Sequence, residues 1–281
     1  MPHPSGQISL IKTLLCDYKF SRFIGLPKRL SMVSTHWIPV MTSQLKWSFK
    51  TIEYTNFSYA LDEHQIKRMA HFVSSTFKVP LGEVLGFFDE LDNDNEFKNE
   101  LWTNFKKSRV KGVTNSNFAF GRRYAWYAIV RILQPTVVIE TGTDKGLGSA
   151  ILSQALRKNG SGELYTIDTN PESGALIKSV YFQSNIHVIH GYSSEFLQSF
   201  SKKIDFFIHD SDHSYKNESL EYELISGKLS DKGLVASDNS GLSNALDSWT
   251  EDQGRFLYYF EEISPEYPGK TSGLGISVQN L

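Results

Sequence analysis

The architecture of this 281-residue chain can be predicted from one stretch, Val137-Val138-Ile139-Glu140-Thr141-Gly142-Thr143-Asp144-Lys145-Gly146-Leu147-Gly148. It opens with a β-branched run that has no polar interruption, which is typical of a strand buried on both faces of a parallel sheet. The glycines that follow let the backbone turn with a positive φ and let a ligand approach the main chain. A helix that begins there offers unpaired N–H groups. The stretch therefore predicts a strand, a turn that can bind a ligand, and a helix, although a similar turn occurs in many α/β proteins.

Acidic residues end two of the predicted strands. Glu140 ends the first strand, and the next strand, residues 164–167, is followed by Asp168. A neighbouring parallel strand delivers an acid to a ribose diol at about this distance along the chain. The glycine spacing is not the G-x-G-x-x-G pattern of dinucleotide-binding turns, and the carboxylate of Glu140 would repel phosphates. The pattern indicates a cationic ligand that carries a ribose.

Composition narrows the class of protein. The chain is 40% hydrophobic and 21% charged, as expected of a globular protein, and its net charge of −2 gives no general attraction for nucleic acid or membranes. The single cysteine, Cys16, excludes an intrachain disulfide and favours a reducing compartment. No apolar run approaches the roughly 20 residues of a membrane span. Lys12 and Asp17 interrupt any signal-peptide core. We therefore expect a cytoplasmic protein without a transmembrane segment.

Strands and helices alternate after the central turn, which predicts right-handed crossovers and a parallel sheet with helices on both faces. The chain ends differently, with two strand-like runs joined by a segment rich in Pro and Gly, as in a hairpin. Further strands are predicted at residues 187–190, 204–209, 234–237, 256–263 and 273–279, with helices at about 120–131, 145–157, 171–182 and 215–229. The expected fold is α/β, a Rossmann-like seven-stranded, mostly parallel sheet with a C-terminal antiparallel hairpin.

The residues before this sheet have a different pattern. Apolar side chains between Asp62 and Ser108 follow helical spacing, and residues 111–117 are polar enough to form a boundary loop. We expect a mainly helical region at residues 1–110, serving as a cap or an interaction surface, and the sheet domain at residues 111–281.

Ligands of such sheets bind beyond the carboxyl ends of the strands. The residues that follow the predicted strands are mostly acidic: Glu140, Asp168, Tyr192-Ser193, Asp210-Ser211-Asp212-His213 and Asp238-Asn239. Carboxylates that converge on one edge repel one another unless a positive charge lies among them. Oxygen ligands of this kind suit Mg²⁺ or Ca²⁺.

The central turn resembles the first motif of class I S-adenosylmethionine-dependent methyltransferases. Asp210, Asp238 and Asn239 correspond to the metal ligands of the metal-dependent O-methyltransferases that act on catechols and caffeoyl-CoA. The run Asp210-Ser211-Asp212-His213 is also similar to a segment of the macrocin O-methyltransferase and cephalosporin hydroxylase-like family. The resemblance extends from about Phe120 to the C-terminus.

The resemblance implies roles for these residues. Asp210, Asp238 and Asn239 would bind Mg²⁺ or another divalent cation, and Asp210 would also contact the cofactor. The base is either His213 or Asp212. Asp210 is the third residue expected to be catalytic. Capping or turn-forming roles for His213 and Asp238-Asn239 are the alternatives. The residues expected to bind S-adenosylmethionine are Glu140, Thr141, Gly142, Thr143, Gly146, Ser149, Asp168, Tyr192, Ser193 and Asp210.

The expected activity is transfer of a methyl group from S-adenosylmethionine to a hydroxyl of a sugar-like or other small acceptor, with help from a divalent metal. The alternatives are a diverged, hydroxylase-like member of the superfamily and a non-catalytic module that binds S-adenosylmethionine. We expect no nucleic-acid partner, and a homo-oligomer is compatible with the resemblance.

Overall fold

A computed structural model of the protein describes residues 23–50, 60–112, 118–263 and 273–279. The chain divides into two compact units, Met1–Lys50 and Thr51–Leu281. In the first unit, helix α1 (Leu26–Lys50) carries exposed apolar side chains along its length, including Trp37. The boundary expected between residues 110 and 111 stays a prediction.

The described residues of the second unit begin with the helices α2 (Glu63–Phe77), α3 (Leu81–Asp92) and α4 (Asn95–Lys107). The carboxylates of Asp62 and Asp94 cap α2 and α4 by accepting backbone N–H groups of the first turn. The buried faces of these helices join the same apolar cluster as helix α5 (Arg123–Leu133), which leads into the sheet. Burial of one apolar face explains the helical spacing in this part of the sequence.

The predicted sheet is confirmed. Its order is β3-β2-β1-β4-β5-β7-β6, with β1 to β5 parallel and β7 antiparallel to both β5 and β6. Val138 contributes to the apolar cluster on one face and Ile139 to the cluster on the other, so β1 is buried on both sides. The strands are β1 (Val137–Thr141), β2 (Glu163–Asp168), β3 (Ile186–His190), β4 (Ile204–His209), β5 (Leu229–Asp238), β6 (Phe256–Phe260) and β7 (Leu274–Val278).

The connecting helices are α6 (Leu147–Asn159), α7 (Ser193–Ser199), α8 (Tyr215–Ser226) and α9 (Ala245–Asp252). The helix predicted at residues 171–182 is wrong, because that segment contains turns and only a short 3₁₀ helix, Ala175–Ile177. Gly174 has a φ of +73°, and the side chain of Asn170 accepts the N–H of Glu172. Both features stabilise turns at the expense of an α-helix.

The sheet brings the ends of distant sequence segments together. Thr141 pairs with His209 across β1 and β4, and His209 pairs with Ser237 across β4 and β5. The residues that follow, Asp210 and Asp238, therefore lie side by side at the carboxyl edge. Among the helices of the described residues, none combines the length and the apolar character that crossing a bilayer requires.

Candidate active site

The glycine turn lies directly against the end of β4. Gly142 has a φ of +94°, and a Cβ atom at this position would lie 1.9 Å from the carbonyl oxygen of Asp210. Any side chain here would displace one of the two segments. The turn that follows β1 and the acidic segment that follows β4 are therefore parts of one packed edge.

Glu140 lies beneath this turn and is almost fully buried, with 1% of its surface exposed. Its Oε2 accepts hydrogen bonds from Ser149 Oγ and, at 2.7 Å, from Thr166 Oγ1. Burial raises the pKa of Glu140 to about 7, although these hydrogen bonds partly offset the increase. A Cβ atom on Gly148 would lie 2.4 Å from Glu140 Oε1, so glycine is needed where α6 passes this carboxyl group.

Other predicted cofactor residues also hold the turn through buried contacts. Thr143 Oγ1 shares a 2.6 Å hydrogen bond with Thr166 Oγ1. Thr141 Oγ1 donates to Glu221 Oε2 at 2.8 Å, and Ser193 Oγ donates to Glu221 Oε1 at 2.5 Å. Glu221 thus connects the end of β1 with the start of α7.

Asp168 and Tyr192 are the more accessible members of the predicted set. The carboxylate of Asp168 accepts the backbone N–H groups of Asp144 and Asn170, each at 2.8 Å, which fixes its orientation at the end of β2. Each oxygen retains a lone pair for another donor. Tyr192 follows β3 and is 66% exposed.

An arginine lies among the acids at the end of β5. Arg122 is 3% exposed and precedes the first residue of α5. Its Nε and Nη2 donate to the two carboxylate oxygens of Asp238, and Nη1 donates to Glu262 Oε2 at 2.5 Å. Nη2 also donates to Asn239 Oδ1 at 2.7 Å. Burial alone would lower the pKa of Arg122, but the charges of Asp238 and Glu262 raise it, so the guanidinium stays charged.

The next residue, Arg123, faces the neighbouring strand. Its Nη2 lies 3.7 Å from Asp210 Oδ2. Burial and the negative charge of Asp238 raise the pKa of Asp210 well above its ordinary range. Burial would also raise the pKa of Asp238, but Arg122 outweighs it and lowers that pKa.

His213 is oriented by Asn239. Asn239 has a φ of +54°, and its Nδ2 lies 3.0 Å from His213 Nε2. Since Asn239 Oδ1 accepts from Arg122, Nδ2 must donate, and His213 Nε2 accepts. The ring proton is then on Nδ1, a buried atom with no hydrogen-bond partner among the described residues. Burial lowers the pKa of His213, and nearby His209 lowers it further, so the imidazole is neutral near pH 7.

Asp212, the other expected base, points towards the start of α8. Its two carboxylate oxygens accept the backbone N–H and the hydroxyl of Ser214, at 3.0 and 3.1 Å. Asp212 is exposed, whereas His213 Nε2 lies 3.8 Å from Asp210 Oδ1. Of the two residues, His213 is therefore the one that lies close to the carboxyl group of Asp210.

A sequence model described as a methyltransferase domain matches residues 139–240, from within β1 to just beyond β5. The matched range contains the glycine turn, Asp168 and the Asp210 segment, on a sheet with the seven-stranded order given above. This part of the chain is therefore similar to methyltransferase domains, and the sheet with its flanking helices is called the methyltransferase domain below. Among curated protein sequences, none is significantly similar to the chain.

Solved structures of low sequence identity share the fold of the methyltransferase domain. A candidate O-methyltransferase from Klebsiella pneumoniae has a TM-score of 0.54 at 15% identity, covering 69% of this chain and 94% of its own. An O-methyltransferase of tomaymycin synthesis from Streptomyces achromogenes, in complex with S-adenosylmethionine, has a TM-score of 0.51 at 12% identity, covering 67% and 92%. A Podospora anserina methyltransferase bound to S-adenosylhomocysteine has a TM-score of 0.50 at 13% identity, covering 79% and 98%.

The expected metal ligands of the methyltransferase domain meet, but their arrangement does not fit a divalent cation. Both oxygens of Asp238 and the Oδ1 of Asn239 already accept hydrogen bonds from Arg122. Mg²⁺ or Ca²⁺ takes about six oxygen ligands and would have to displace this guanidinium. Within the described residues, no cluster of three or more His, Cys, Asp or Glu side chains is arranged to bind a metal. The prediction of Mg²⁺ at Asp210, Asp238 and Asn239 is therefore not supported.

Sequence reasoning missed the positive charges at this edge of the methyltransferase domain. Arg122 and Arg123 lie in the segment predicted as a helix at about residues 120–131, and the side chains of both are buried. The available signal was two consecutive arginines in an otherwise apolar segment that leads into the central strand. Glu221 and Glu262 were also missed, since neither directly follows one of the parallel strands.

Proposed function

We propose that the methyltransferase domain transfers the methyl group of S-adenosylmethionine to a hydroxyl oxygen of a sugar-like or other small acceptor. The main support is the close packing of two elements at one edge of the sheet. The glycine turn contacts the backbone of Asp210, and the imidazole of His213 lies 3.8 Å from the Asp210 carboxyl group. A cofactor in the turn would thus lie near a neutral base. The O-methyltransferases among the structural neighbours agree with an oxygen acceptor.

Each predicted cofactor residue has a role in this proposal. Asp168 accepts the ribose hydroxyls, because its carboxylate is oriented by two backbone N–H groups and retains lone pairs. The exposed ring of Tyr192 stacks on the adenine. The backbone from Gly142 to Gly146 and the carboxyl group of Asp210 adjoin the amino-acid end of the cofactor. The turn is supported by the buried residues Glu140, Thr141, Thr143 and Ser149, and the half-buried Ser193 adds a hydrogen bond to Glu221.

His213 is the proposed base. In the reaction, the acceptor oxygen forms a bond to the methyl carbon, the S–CH₃ bond breaks, and its electron pair stays on the sulfur of S-adenosylhomocysteine. The hydroxyl proton moves to His213 Nε2, whose lone pair faces Asn239 Nδ2 in the absence of an acceptor. The acceptor hydroxyl would replace that amide as the donor. A neutral imidazole beside the reacting group suits general-base catalysis near pH 7.

The test combines cofactor binding with methyl transfer. Calorimetry should detect one-to-one binding of S-adenosylhomocysteine, and labelled S-adenosylmethionine should transfer its methyl group to a member of a panel of sugars, polyols and phenols. His213→Ala should lower kcat by about 10²- to 10⁴-fold, because it removes general-base catalysis. Its affinity for S-adenosylhomocysteine should remain unchanged.

His64→Ala is the matched control, since His64 is exposed in the first turn of α2, outside the carboxyl edge of the sheet. It should retain wild-type kcat. Failure to bind S-adenosylhomocysteine would contradict the proposed function, whereas full activity of His213→Ala would contradict only the assignment of the base.

A further inference from the structure

The guanidinium of Arg122 contacts Asp238 and Asn239, two of the three residues that the family resemblance implies as metal ligands. Its three nitrogens donate to Asp238, Asn239 and Glu262, which converge on it from two segments of the chain. We infer that Arg122 permanently replaces the divalent cation, and that methyl transfer by this domain needs no metal. This inference rests on the proposed function and concerns how the acceptor end of that same site is organised.

The charges of the cluster support the replacement. Arg122 and Arg123 are consecutive in sequence. Arg122 pairs with Asp238 at the end of β5, and Arg123 lies near Asp210, which follows β4. Together they provide the two positive charges that a divalent cation would bring. The planar guanidinium is suited to this position because it can donate to both oxygens of one carboxylate at once. Since it is covalently attached, a chelator cannot remove it.

Arg122 is also linked to the proposed base. It donates to Asn239 Oδ1, and this contact fixes which way the amide points. The amide nitrogen then donates to His213 Nε2. Arg122 is therefore a positioning residue, which keeps the lone pair of His213 on Nε2 and the proton on Nδ1.

Metal binding is the direct test of the replacement. Mg²⁺ and Mn²⁺ are titrated separately by calorimetry into the purified full chain, with and without S-adenosylhomocysteine. We expect no saturable binding up to millimolar metal, and unchanged binding of S-adenosylhomocysteine in EDTA. One-to-one binding of Mn²⁺ that is lost in Asp238→Asn would overturn the inference. If S-adenosylhomocysteine fails to bind under every condition, the proposed function fails instead.

Removing the guanidinium should restore the requirement for a cation. In Arg122→Ala, 5 mM Mg²⁺ should raise the Tm by several degrees, because the remaining carboxylates can then bind the ion. Arg131→Ala is the matched control: it removes an arginine near the end of α5 that pairs with Glu90, and its Tm should not respond to Mg²⁺. If Arg122→Ala does not fold, the wild-type titration still decides the question.

NMR spectroscopy separately tests whether Arg122 positions His213. Long-range ¹H–¹⁵N spectra of wild-type protein should show His213 as the Nδ1–H tautomer. Arg122→Lys keeps the charge but cannot donate to Asp238 and Asn239 with the same planar geometry, so the ¹⁵N shifts of His213 should move towards a mixture of tautomers. Arg131→Lys should leave them unchanged. Identical His213 spectra in Arg122→Lys and the wild type would overturn the positioning role.

Discussion

Glu140 at the end of β1 and Asp238 at the end of β5 are both buried carboxyl groups, but different partners stabilise them. Glu140 accepts hydrogen bonds from neutral hydroxyl groups, and its pKa is about 7. Asp238 is bound by the guanidinium of Arg122, which lowers its pKa. A carboxyl group with neutral donors can exchange its proton near neutrality, whereas one paired with arginine stays ionised. The β1 side of the edge is therefore responsive to pH, and the β5 side holds a fixed charge.

Arg122→Met should have the largest effect. The substitution leaves Asp238 and Glu262 buried without the cation that bridges them. Removal of one partner from a buried ion pair costs about 3–5 kcal/mol. The free energy of unfolding, measured with urea, should fall by this amount. Lys202→Met, which breaks an exposed ion pair with Glu163, should cost about 1 kcal/mol or less. If both variants lost the same free energy of unfolding, Arg122 would be no more important for stability than the arginine or lysine of an ordinary surface ion pair.

The pH dependence of the free energy of unfolding tests whether Glu140 exchanges its proton near neutral pH. The pKa of Glu140 is about 7 in the folded state, against an ordinary 4.5, so the folded protein binds this proton more tightly than the unfolded chain. The contribution of this proton to the free energy of unfolding is fully present below pH 4.5 and is lost as the pH rises through about 7. The loss is about 3 kcal/mol.

Glu140→Gln should remove this part of the pH dependence. Because glutamine cannot ionise, the variant should be more stable than the wild type at pH 8 and similar to it at pH 5, as measured by urea unfolding across that range. Glu172→Gln, at an exposed position, is the control and should follow the wild-type curve. Parallel curves for Glu140→Gln and wild type would show that the β1 side does not respond to pH.

Asp168→Ala should have the smallest effect of the three on free energy. Loss of hydrogen bonds from a carboxylate to the ribose should cost about 2 kcal/mol, or roughly a 30-fold loss of affinity for S-adenosylhomocysteine. Calorimetry measures this change directly. Asp252→Ala removes an exposed carboxylate at the end of α9 and should bind as wild type does. An unchanged affinity in Asp168→Ala would remove Asp168 from the cofactor site.

The order of elements along the methyltransferase domain could be predicted from sequence because local patterns determine it. The β-branched run of β1 needs burial on both faces, and the glycines after it permit a turn that contacts the end of β4. The prediction failed between β2 and β3, where Gly174 and Asn170 favour turns over a helix. Sequence also identified the acids that follow the strands, since parallel strands end at one edge.

The sequence by itself determined that carboxylates would gather at this edge and that a positive charge had to lie among them. Only the tertiary structure decided which charge it was. Arg122 precedes Asp238 by more than a hundred residues and meets it because α5 packs beside the sheet, with its first turn at the carboxyl edge. No spacing rule links two such distant positions. Burial then makes their pairing strong, because an unpaired charge in this interior would be far more costly than a solvated one.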